Sequence, residues 1–307
     1  MEEITLLKKF FNFIEIKTKI TSTLTFLLTL GFLLYLEQKI QWGATFLFFA
    51  GMFFFDLTAT AINNYIDSRD NGQVLAFSRK RSMMIIYLLL GISTGLGLYL
   101  AAMTDLVVLV AGGICFFCGV FYTFGPLPIS RMPLGEVVSG FFYGLVIPFI
   151  MMYINSPAGT FISYSLSWET VSLSVRVVPI LTMVLFSMTP FAVTANIMLA
   201  NNICDLEKDI EVRRHTLPYY IGQASLPLFA AIYYLSYFSL ALMVLLRILP
   251  PIVLIVLITI IPVQKNIRIF MKIQDKATTF NVSIKNFIII MGANILALFL
   301  AVFLNQI

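Results

Sequence analysis

Long apolar segments separated by short polar stretches run through this chain of 307 residues. A helix needs about 20 mostly apolar residues to cross a bilayer. Sixty per cent of the residues are hydrophobic and only 11% are charged, whereas soluble domains carry about 25% charged residues. A soluble globular protein is excluded, because its core cannot bury this much apolar surface. Most of the chain is therefore expected to lie in lipid.

The apolar segments set the expected number and limits of the membrane-spanning helices. Reading the sequence in windows of about 20 residues predicts nine spans. Their limits are 20–36, 44–62, 83–103, 106–124, 134–154, 177–200, 226–246, 250–263 and 287–304. The expected fold class is an all-α polytopic membrane protein.

The positively charged residues predict how the helices are oriented, since segments rich in Lys and Arg are retained in the cytoplasm. With the N-terminus inside, all but three of the 20 Lys and Arg residues fall in cytoplasmic segments. The exceptions are Lys39, Arg176 and Arg247. The N-terminus is therefore expected in the cytoplasm and the C-terminus outside. The net charge of +5 follows from this bias and implies no binding to nucleic acid.

A short polar motif, N-N-x-x-D, occurs twice, at residues 63–67 and 201–205. Two copies are not expected by chance in a chain with 13 Asn and 7 Asp. Each copy lies at the expected cytoplasmic end of an even-numbered span. An internal duplication of a functional helix end is the simplest account, as in other membrane proteins built from repeats.

Each motif belongs to a polar stripe along one helix face, because residues three or four apart share a face. The first stripe consists of Asp56, Thr60, Asn63, Asp67 and Asp70, and the second of Asn202, Asp205 and Asp209. The carboxylate of Asp56 falls within the membrane part of its span, where it is expected to face the protein interior or a water-filled cavity. Two such stripes facing each other would enclose a negatively charged pocket.

The pocket is expected to bind Mg²⁺ together with a diphosphate. Carboxylates placed close together repel unless a cation lies between them. Mg²⁺ is usually held by one or two carboxylates and by substrate phosphates. Basic residues follow both motifs: Arg69, Arg79, Lys80 and Arg81 after the first, and Lys208, Arg213 and Arg214 after the second.

At these residues the sequence resembles the UbiA-type family of intramembrane aromatic prenyltransferases, over nearly the whole chain. That family carries N-D-x-x-D-x-x-x-D and D-x-x-x-D at the cytoplasmic ends of its second and sixth helices. Asn63 and Asp67 match the first motif, whereas Asn64 replaces its Asp and Asn71 stands where the last Asp would be. Asp70, one residue early, is the candidate substitute, so the ligands of the first metal stay open. Asp205 and Asp209 match the second motif.

Within the family, the chain looks most similar to the branch that prenylates 1,4-dihydroxy-2-naphthoate for menaquinone biosynthesis. In that branch the second motif is followed by Gly and Lys, at positions held here by Arg213 and Arg214. Segments 122–128 and 133–136 resemble the branch's Y-T-x-G-P and L-G-[DE] segments. The resemblance implies formation of demethylmenaquinone with loss of diphosphate and CO₂.

The resemblance also implies an architecture and a set of site residues. Residues 1–307 would form one domain of nine helices around a central cavity, in the cytoplasmic membrane of a bacterium, with the active site opening toward the cytoplasm. The implied catalytic residues are Asp67, Asp205 and Asp209. The implied Mg²⁺ ligands are Asn63, Asp67, Asp70, Asn202, Asp205 and Asp209. The implied substrate-binding residues are Asn63, Arg69, Arg79, Arg81, Tyr122, Arg131, Asn202, Lys208 and Arg214.

The sequence leaves three other functions open: prenyl transfer to another aromatic acceptor, a non-enzymatic membrane carrier, and a catalytically inactive binding partner. Repeated helices with carboxylates near the membrane midplane are also typical of carriers. The acidic residues favour an enzyme, because they lie mostly at helix ends beside basic loops. Diphosphate release that depends on substrate would distinguish the enzyme from a carrier.

Overall fold

A computed structural model describes residues 2–70, 74–121 and 129–305. The helices are α1 (Glu2–Phe13), α2 (Ile20–Tyr35), α3 (Trp42–Asp70), α4 (Arg79–Met103), α5 (Leu106–Phe121), α6 (Gly135–Ser139), α7 (Ile147–Ile154), α8 (Val177–Cys204), α9 (Leu206–Glu211), α10 (Leu217–Ile221), α11 (Ser225–Leu245), α12 (Ile260–Lys272) and α13 (Asn281–Asn305). The 3-10 segments of the described residues are Ile16–Lys19, Ile129–Arg131, Gly222–Ala224 and Pro251–Thr259. A π-helix, Gly140–Val146, joins α6 to α7. Strands β1 (Ile162–Leu166) and β2 (Val171–Val175) form an antiparallel hairpin, so the fold is mostly helical and not all-α as predicted.

Among the described residues, eight helical stretches are long and apolar enough to cross a membrane, as expected for a polytopic membrane protein. They are Ile16–Tyr35, Trp42–Arg69, Arg79–Met103, Gly135–Ile154, Val177–Cys204, Leu217–Leu245, Pro251–Lys272 and Asn281–Asn305. The remaining predicted span, 106–124, contains the apolar helix α5 of 16 residues. That helix ends where the described residues stop at Phe121.

Contacts between loops define two ends of the helix bundle. At one end, the Gln41 amide donates to Asn155 Oδ1 at 2.7 Å, and the Leu106 amide donates to the Tyr164 hydroxyl at 3.3 Å. We call this the hairpin end, formed by residues 36–41, 104–106 and 155–176. At the other end, the His215 amide donates to the Arg131 carbonyl at 3.2 Å. We call this the basic end, formed by residues 129–134, 205–216 and 273–280.

Helix α3 connects the two ends. It begins beside Gln41 at the hairpin end, and its 29 residues span about 43 Å at 1.5 Å per residue. This length exceeds the ~30 Å hydrocarbon core of a bilayer. The first polar motif, in the last turns of α3, therefore lies toward the opposite end of the bundle, where the second motif is found.

The centre of the fold is α8, which packs against the π-helix, α11 and α13. At its crossing with the π-helix, a Cβ added to Gly144 would lie 2.2 Å from both the amide nitrogen and the Cα of Phe191. Only a glycine permits this approach. Pro190 lies inside α8 at the same crossing, where it cannot donate a helical hydrogen bond. The close contact fixes the π-helix, and with it Tyr143, against α8.

Candidate functional site

A mostly apolar cavity of about 280 Å³ lies between α3, α4, α5 and the π-helix. Met198 of α8 also lines it. The polar side chains on its wall are Ser22, Asp56, Thr60, Asn63, Ser93, Ser139 and Tyr143. Three of these, Asp56, Thr60 and Asn63, belong to the polar stripe of α3. The structure thus places the membrane part of that stripe on the cavity wall.

The innermost charge of the stripe, Asp56, is paired with Lys19. The Lys19 ammonium lies 2.8 Å from Asp56 Oδ1, and the two side chains are only 3% and 5% exposed. The same ammonium donates to the Asp56 carbonyl at 3.0 Å and to the Thr60 hydroxyl. All three protons of the ammonium therefore have an acceptor.

The Asp56 carboxylate is satisfied by two further donors. The Tyr143 hydroxyl donates to Oδ1 at 2.7 Å, and the Ser22 hydroxyl donates to Oδ2 at 2.7 Å. A buried ion pair is tolerated when its remaining polar atoms are hydrogen-bonded. This network joins the start of α2, the middle of α3 and the π-helix into one polar wall of the cavity.

Lys19 was not predicted as a site residue, since the sequence indicated only that its positive charge helps to set the membrane topology. A signal was present, because Lys19 and Ser22 are three residues apart at the start of an apolar helix and so share a face. Tyr143 carried no comparable signal, since it lies among Phe and Gly residues of a uniformly apolar span.

Asn64, where the resembled family has an aspartate, contacts α1. Its side-chain amide donates to the Phe13 carbonyl at 3.0 Å. A carboxylate at this position would place two acceptors against each other. The Asn therefore suits its surroundings, and this residue is not among those lining the cavity.

The rest of the first motif lies toward the basic end. Asp67 is half-buried, one helical turn beyond Asn63. The Arg79 guanidinium lies 5.1 Å from the centre of the Tyr65 ring, beside the motif. Arg69, Arg79 and Arg81 are exposed. The side chain of Asp70 falls outside the description, as do Asn71 and segment 122–128 with Tyr122.

The second motif closes α8, with Asp205 as its capping residue. Asp205 and Met198, which lines the cavity, are seven residues apart and so lie on the same face of α8. Lys276 Nζ lies 2.6 Å from Asp205 Oδ2 and also donates to Asn201 Oδ1. Sequence reasoning missed this partner, because Lys276 is 71 positions from Asp205.

Asp209 follows one turn later, in α9, and is buried. Arg214 Nε lies 3.6 Å from Asp209 Oδ1, and the Arg214 amide donates to the Asp209 carbonyl at 2.7 Å. Burial raises the pKa of the Asp209 carboxyl, and the nearby Arg214 guanidinium opposes this rise. The hydrogen bond from His215 to Arg131 brings the 129–131 segment to the same loop.

The loop after α9 contains one departure from the family pattern. Arg213 has a φ of 58°, in the left-handed region that glycine adopts without penalty. The branch that the sequence resembles has glycine here. In this chain Arg213 adopts the left-handed conformation, which costs a residue with a side chain about 1–2 kcal/mol.

Asn202 is turned into the protein. Its side-chain amide donates to Glu136 Oε1 at 2.8 Å, and both side chains are buried. Glu136 belongs to the L-G-[DE] segment, at the start of α6. This contact favours a positioning role for Asn202, which holds α8 to α6.

The carboxylates of the two motifs lie toward a common end of the bundle. Among the described residues, no group of three or more His, Cys, Asp or Glu side chains is arranged to hold a metal ion. The available donors are carboxylate and amide oxygens, which suit Mg²⁺. Since Mg²⁺ takes one or two carboxylates plus phosphate oxygens, this donor set fits Mg²⁺ brought together with a diphosphate.

The sequence matches the model of the UbiA prenyltransferase family over residues 24–287. A curated relative, 1,4-dihydroxy-2-naphthoate octaprenyltransferase from Bacillus subtilis (strain 168), is 29% identical over 149 residues. That alignment covers 48% of this chain and 41% of the relative, so it spans less than half of the relative's length.

Solved structures share the fold over nearly the whole chain. A UbiA homologue from Aeropyrum pernix K1 has a TM-score of 0.63 and 17% identity, covering 91% of this chain and 97% of its own. A digeranylgeranylglyceryl phosphate synthase has a TM-score of 0.61 and 18% identity, covering 98% and 99%. A homologue from Archaeoglobus fulgidus bound to GPP and Mg²⁺ has a TM-score of 0.60 and 14% identity, covering 96% and 99%.

Proposed function

The chain belongs to the UbiA prenyltransferase family, and we propose that it transfers the polyprenyl group of a polyprenyl diphosphate to an aromatic acceptor. The observation that carries this proposal is the relation of the two acidic motifs to one cavity. Asn63 and Met198 both line that cavity. Asp67 and Asp205 lie one and two turns beyond them on the same helix faces, toward the basic end. The diphosphate head group of the substrate would thus lie among charged residues at the basic end, and its prenyl chain would lie in the adjoining apolar cavity.

The diphosphate is assigned to the basic end, with Asp67, Asp205 and Asp209 holding Mg²⁺. When bound, Mg²⁺ supplies Lewis-acid stabilisation of the charge on the departing diphosphate. Positive side chains at the basic end and beside the first motif would supply further stabilisation: Arg69, Arg79, Arg81, Lys208, Arg214 and Lys276. The relative bound to GPP and Mg²⁺ supports this pairing of ligand and ion.

The allylic end of the prenyl chain is assigned to the apolar cavity. Cleavage of its C–O bond leaves an allylic cation, which must be kept from water and is favoured by aromatic faces. Phe55 and Phe116 stack at 4.7 Å between ring centres on the cavity wall. At about 280 Å³, this cavity is no larger than the smallest pockets that bind drug-sized ligands, which measure about 300–1,000 Å³. It therefore encloses only part of a long polyprenyl chain. The remainder extends into lipid.

For the acceptor we propose 1,4-dihydroxy-2-naphthoate, with demethylmenaquinol (the hydroquinone form of demethylmenaquinone), diphosphate and CO₂ as products. The electron-rich ring would attack the allylic carbon and then lose its carboxylate. The B. subtilis relative supports this choice of acceptor. Arg131 lies at the basic end beside the Asp209 loop and is assigned to attract the acceptor carboxylate. Prenyl transfer to another aromatic acceptor is the alternative.

The proposal includes a location and an orientation. Nine helices, with α5 as the fourth, cross the cytoplasmic membrane of a bacterium, and the N-terminus lies inside. The basic end then faces the cytoplasm, where Lys and Arg are retained. Both polar substrates, the diphosphate head and the naphthoate, would enter from that side.

Expression in a bacterium that lacks its own naphthoate prenyltransferase tests the proposal. Mass spectrometry of the lipid quinones should show restored demethylmenaquinone or menaquinone, and Asp205→Asn should abolish it. Glu207→Gln is the matched control, because Glu207 is an exposed acid on the adjoining helix α9. Purified protein should release diphosphate only when Mg²⁺ and both substrates are present. Equal product from Asp205→Asn and the unaltered protein would refute the assignment.

A further inference from the structure

The β-hairpin between α7 and α8 has two chemically different faces. Opposed residues in its register are either both apolar or both serine. The apolar face consists of Ile162, Tyr164, Leu166, Val171, Leu173 and Val175. The opposite face consists of Ser163, Ser165, Ser172 and Ser174, with the Ser165 and Ser172 hydroxyls 2.7 Å apart. Within residues 162–175 only Glu169, in the turn, is charged.

The apolar face packs against the protein at the base of the hairpin and is exposed in the outer half. Ile162 and Tyr164, at the base of the hairpin, are half-buried. Further out, Leu166, Val171 and Leu173 are 59%, 75% and 68% exposed. Trp168, in the turn, is fully exposed. No described part of the chain packs over this outer half, so its apolar surface faces whatever surrounds the protein.

The uncovered face is continuous with the surface that faces lipid. The Tyr164 hydroxyl accepts from the first amide of α5, at Leu106. Leu106 and Leu109 are exposed on that apolar helix. On the other side, Val177 and Val178 open α8 and are 65% and 73% exposed. The hairpin therefore emerges where two apolar helices begin, at the level where a bilayer would end.

We propose that this hairpin lies in the bilayer interface, with its apolar face on lipid, its serine face toward water and Trp168 as an anchor. Tryptophan is enriched at membrane interfaces, where its ring contacts lipid and its N–H stays hydrated. The outer edges of a two-stranded hairpin carry unpaired backbone groups, which cannot enter the hydrocarbon core. The interface satisfies those groups with water while covering the apolar side chains.

A second copy of the chain is a less suitable occupant. Stable protein interfaces use roughly 20–30 residues on each side, whereas the uncovered part of this face contains only Leu166, Val171, Leu173, Val175 and Trp168. A lipid surface needs no such area, because the transmembrane helices already hold the protein in place. The proposal is independent of the assigned reaction.

Trp168 is a natural probe, because the chain has only two tryptophans, Trp42 and Trp168. A Trp42→Phe variant in phospholipid vesicles would report Trp168 alone. In vesicles brominated near the top of the acyl chains, about 5–10 Å below the head groups, its emission should fall by about half. Aqueous iodide should quench it little. Adding Leu166→Ser and Leu173→Ser should reverse both results, whereas Ser163→Ala with Ser174→Ala should leave them unchanged.

Two outcomes would overturn the proposal. Strong quenching by iodide with none by bromolipid would place the hairpin in water. Protection from both quenchers, with cross-linking through residue 168 that rises with protein density, would place a second copy on it.

If the Trp42→Phe variant does not fold, hydroxyl-radical labelling of the unaltered protein measures the oxidation rate of each tryptophan in a separate peptide. Trp168 should then be oxidised more slowly in vesicles than after unfolding, and equal rates would refute the interfacial position.

Discussion

The Lys19 ammonium and the Asp56 carboxylate form a buried ion pair 2.8 Å long beside the cavity. The pair joins the segment that leads into α2 to the middle of α3. Because every proton of the ammonium is used, and both carboxylate oxygens accept hydrogen bonds, the two charges compensate each other where water is scarce.

Removing one member of the Lys19–Asp56 pair should lower the free energy of unfolding. Lys19→Met leaves a buried carboxylate without its partner, and such changes destabilise proteins by about 3–5 kcal/mol. The double change Lys19→Met with Asp56→Leu should recover most of that loss. Thermal unfolding in detergent measures both. Lys17→Met, which alters an exposed lysine two positions earlier, should change stability by less than about 0.5 kcal/mol. A double variant no more stable than the single one would contradict the pairing.

Gly144→Ala should destabilise the crossing of the π-helix and α8. The added methyl would lie 2.2 Å from backbone atoms of Phe191, so the helices must separate, at a cost of about 1–3 kcal/mol or more. Gly292→Ala in α13 is the control, because nothing lies within 4 Å of its added Cβ. That control should gain about 0.5–1 kcal/mol from reduced backbone freedom in the unfolded state. Equal melting temperatures for the two variants would rule out the close contact.

Asn64→Asp, which restores the residue of the family motif, should not improve the enzyme. The new carboxylate cannot donate to the Phe13 carbonyl, and a buried acceptor left without its partner costs about 1–3 kcal/mol. We therefore expect a lower melting temperature and an unchanged Mg²⁺ requirement for product formation. A variant that needs less Mg²⁺ and keeps its stability would show that position 64 reaches the metal.

Lys276→Met should weaken turnover through the diphosphate end of the site. Lys276 contacts Asp205 and Asn201, and its loss removes a positive charge where the leaving group is assigned. We expect kcat/KM for the polyprenyl diphosphate to fall about tenfold, equivalent to about 1.4 kcal/mol. Lys272→Met, in the last turn of α12, is the control for general loss of charge. If both variants lose activity equally, the effect belongs to net charge and not to the contact with Asp205.

The membrane spans were predictable because each depends only on its own composition. Any helix that crosses lipid needs about 20 apolar residues, and this requirement is local. The hairpin could also have been predicted, since residues 162–166 and 171–175 alternate serine with apolar residues. This period of two is typical of strands. The prediction of an all-α fold did not include this hairpin.

The contacts inside the site could not be predicted, because they depend on how neighbouring helices are rotated. Asn63 and Asn64 are adjacent and chemically identical, yet one lines the cavity and the other bonds to α1. A rotation of α3 by one residue would exchange them. Likewise, nothing local in the sequence relates Lys276 to Asp205, since a loop and two transmembrane helices separate them.

The hydrogen bond between Asn202 and Glu136 has a mechanical consequence. Glu136 lies in the first turn of α6, which continues directly into the π-helix, where the Tyr143 hydroxyl donates to Asp56. The continuous helical segment from Glu136 to Tyr143 therefore connects the C-terminal end of α8 to Asp56, the innermost charge of α3. We therefore expect a ligand bound at the C-terminal end of α8 to shift the Asp56 wall of the cavity through this segment.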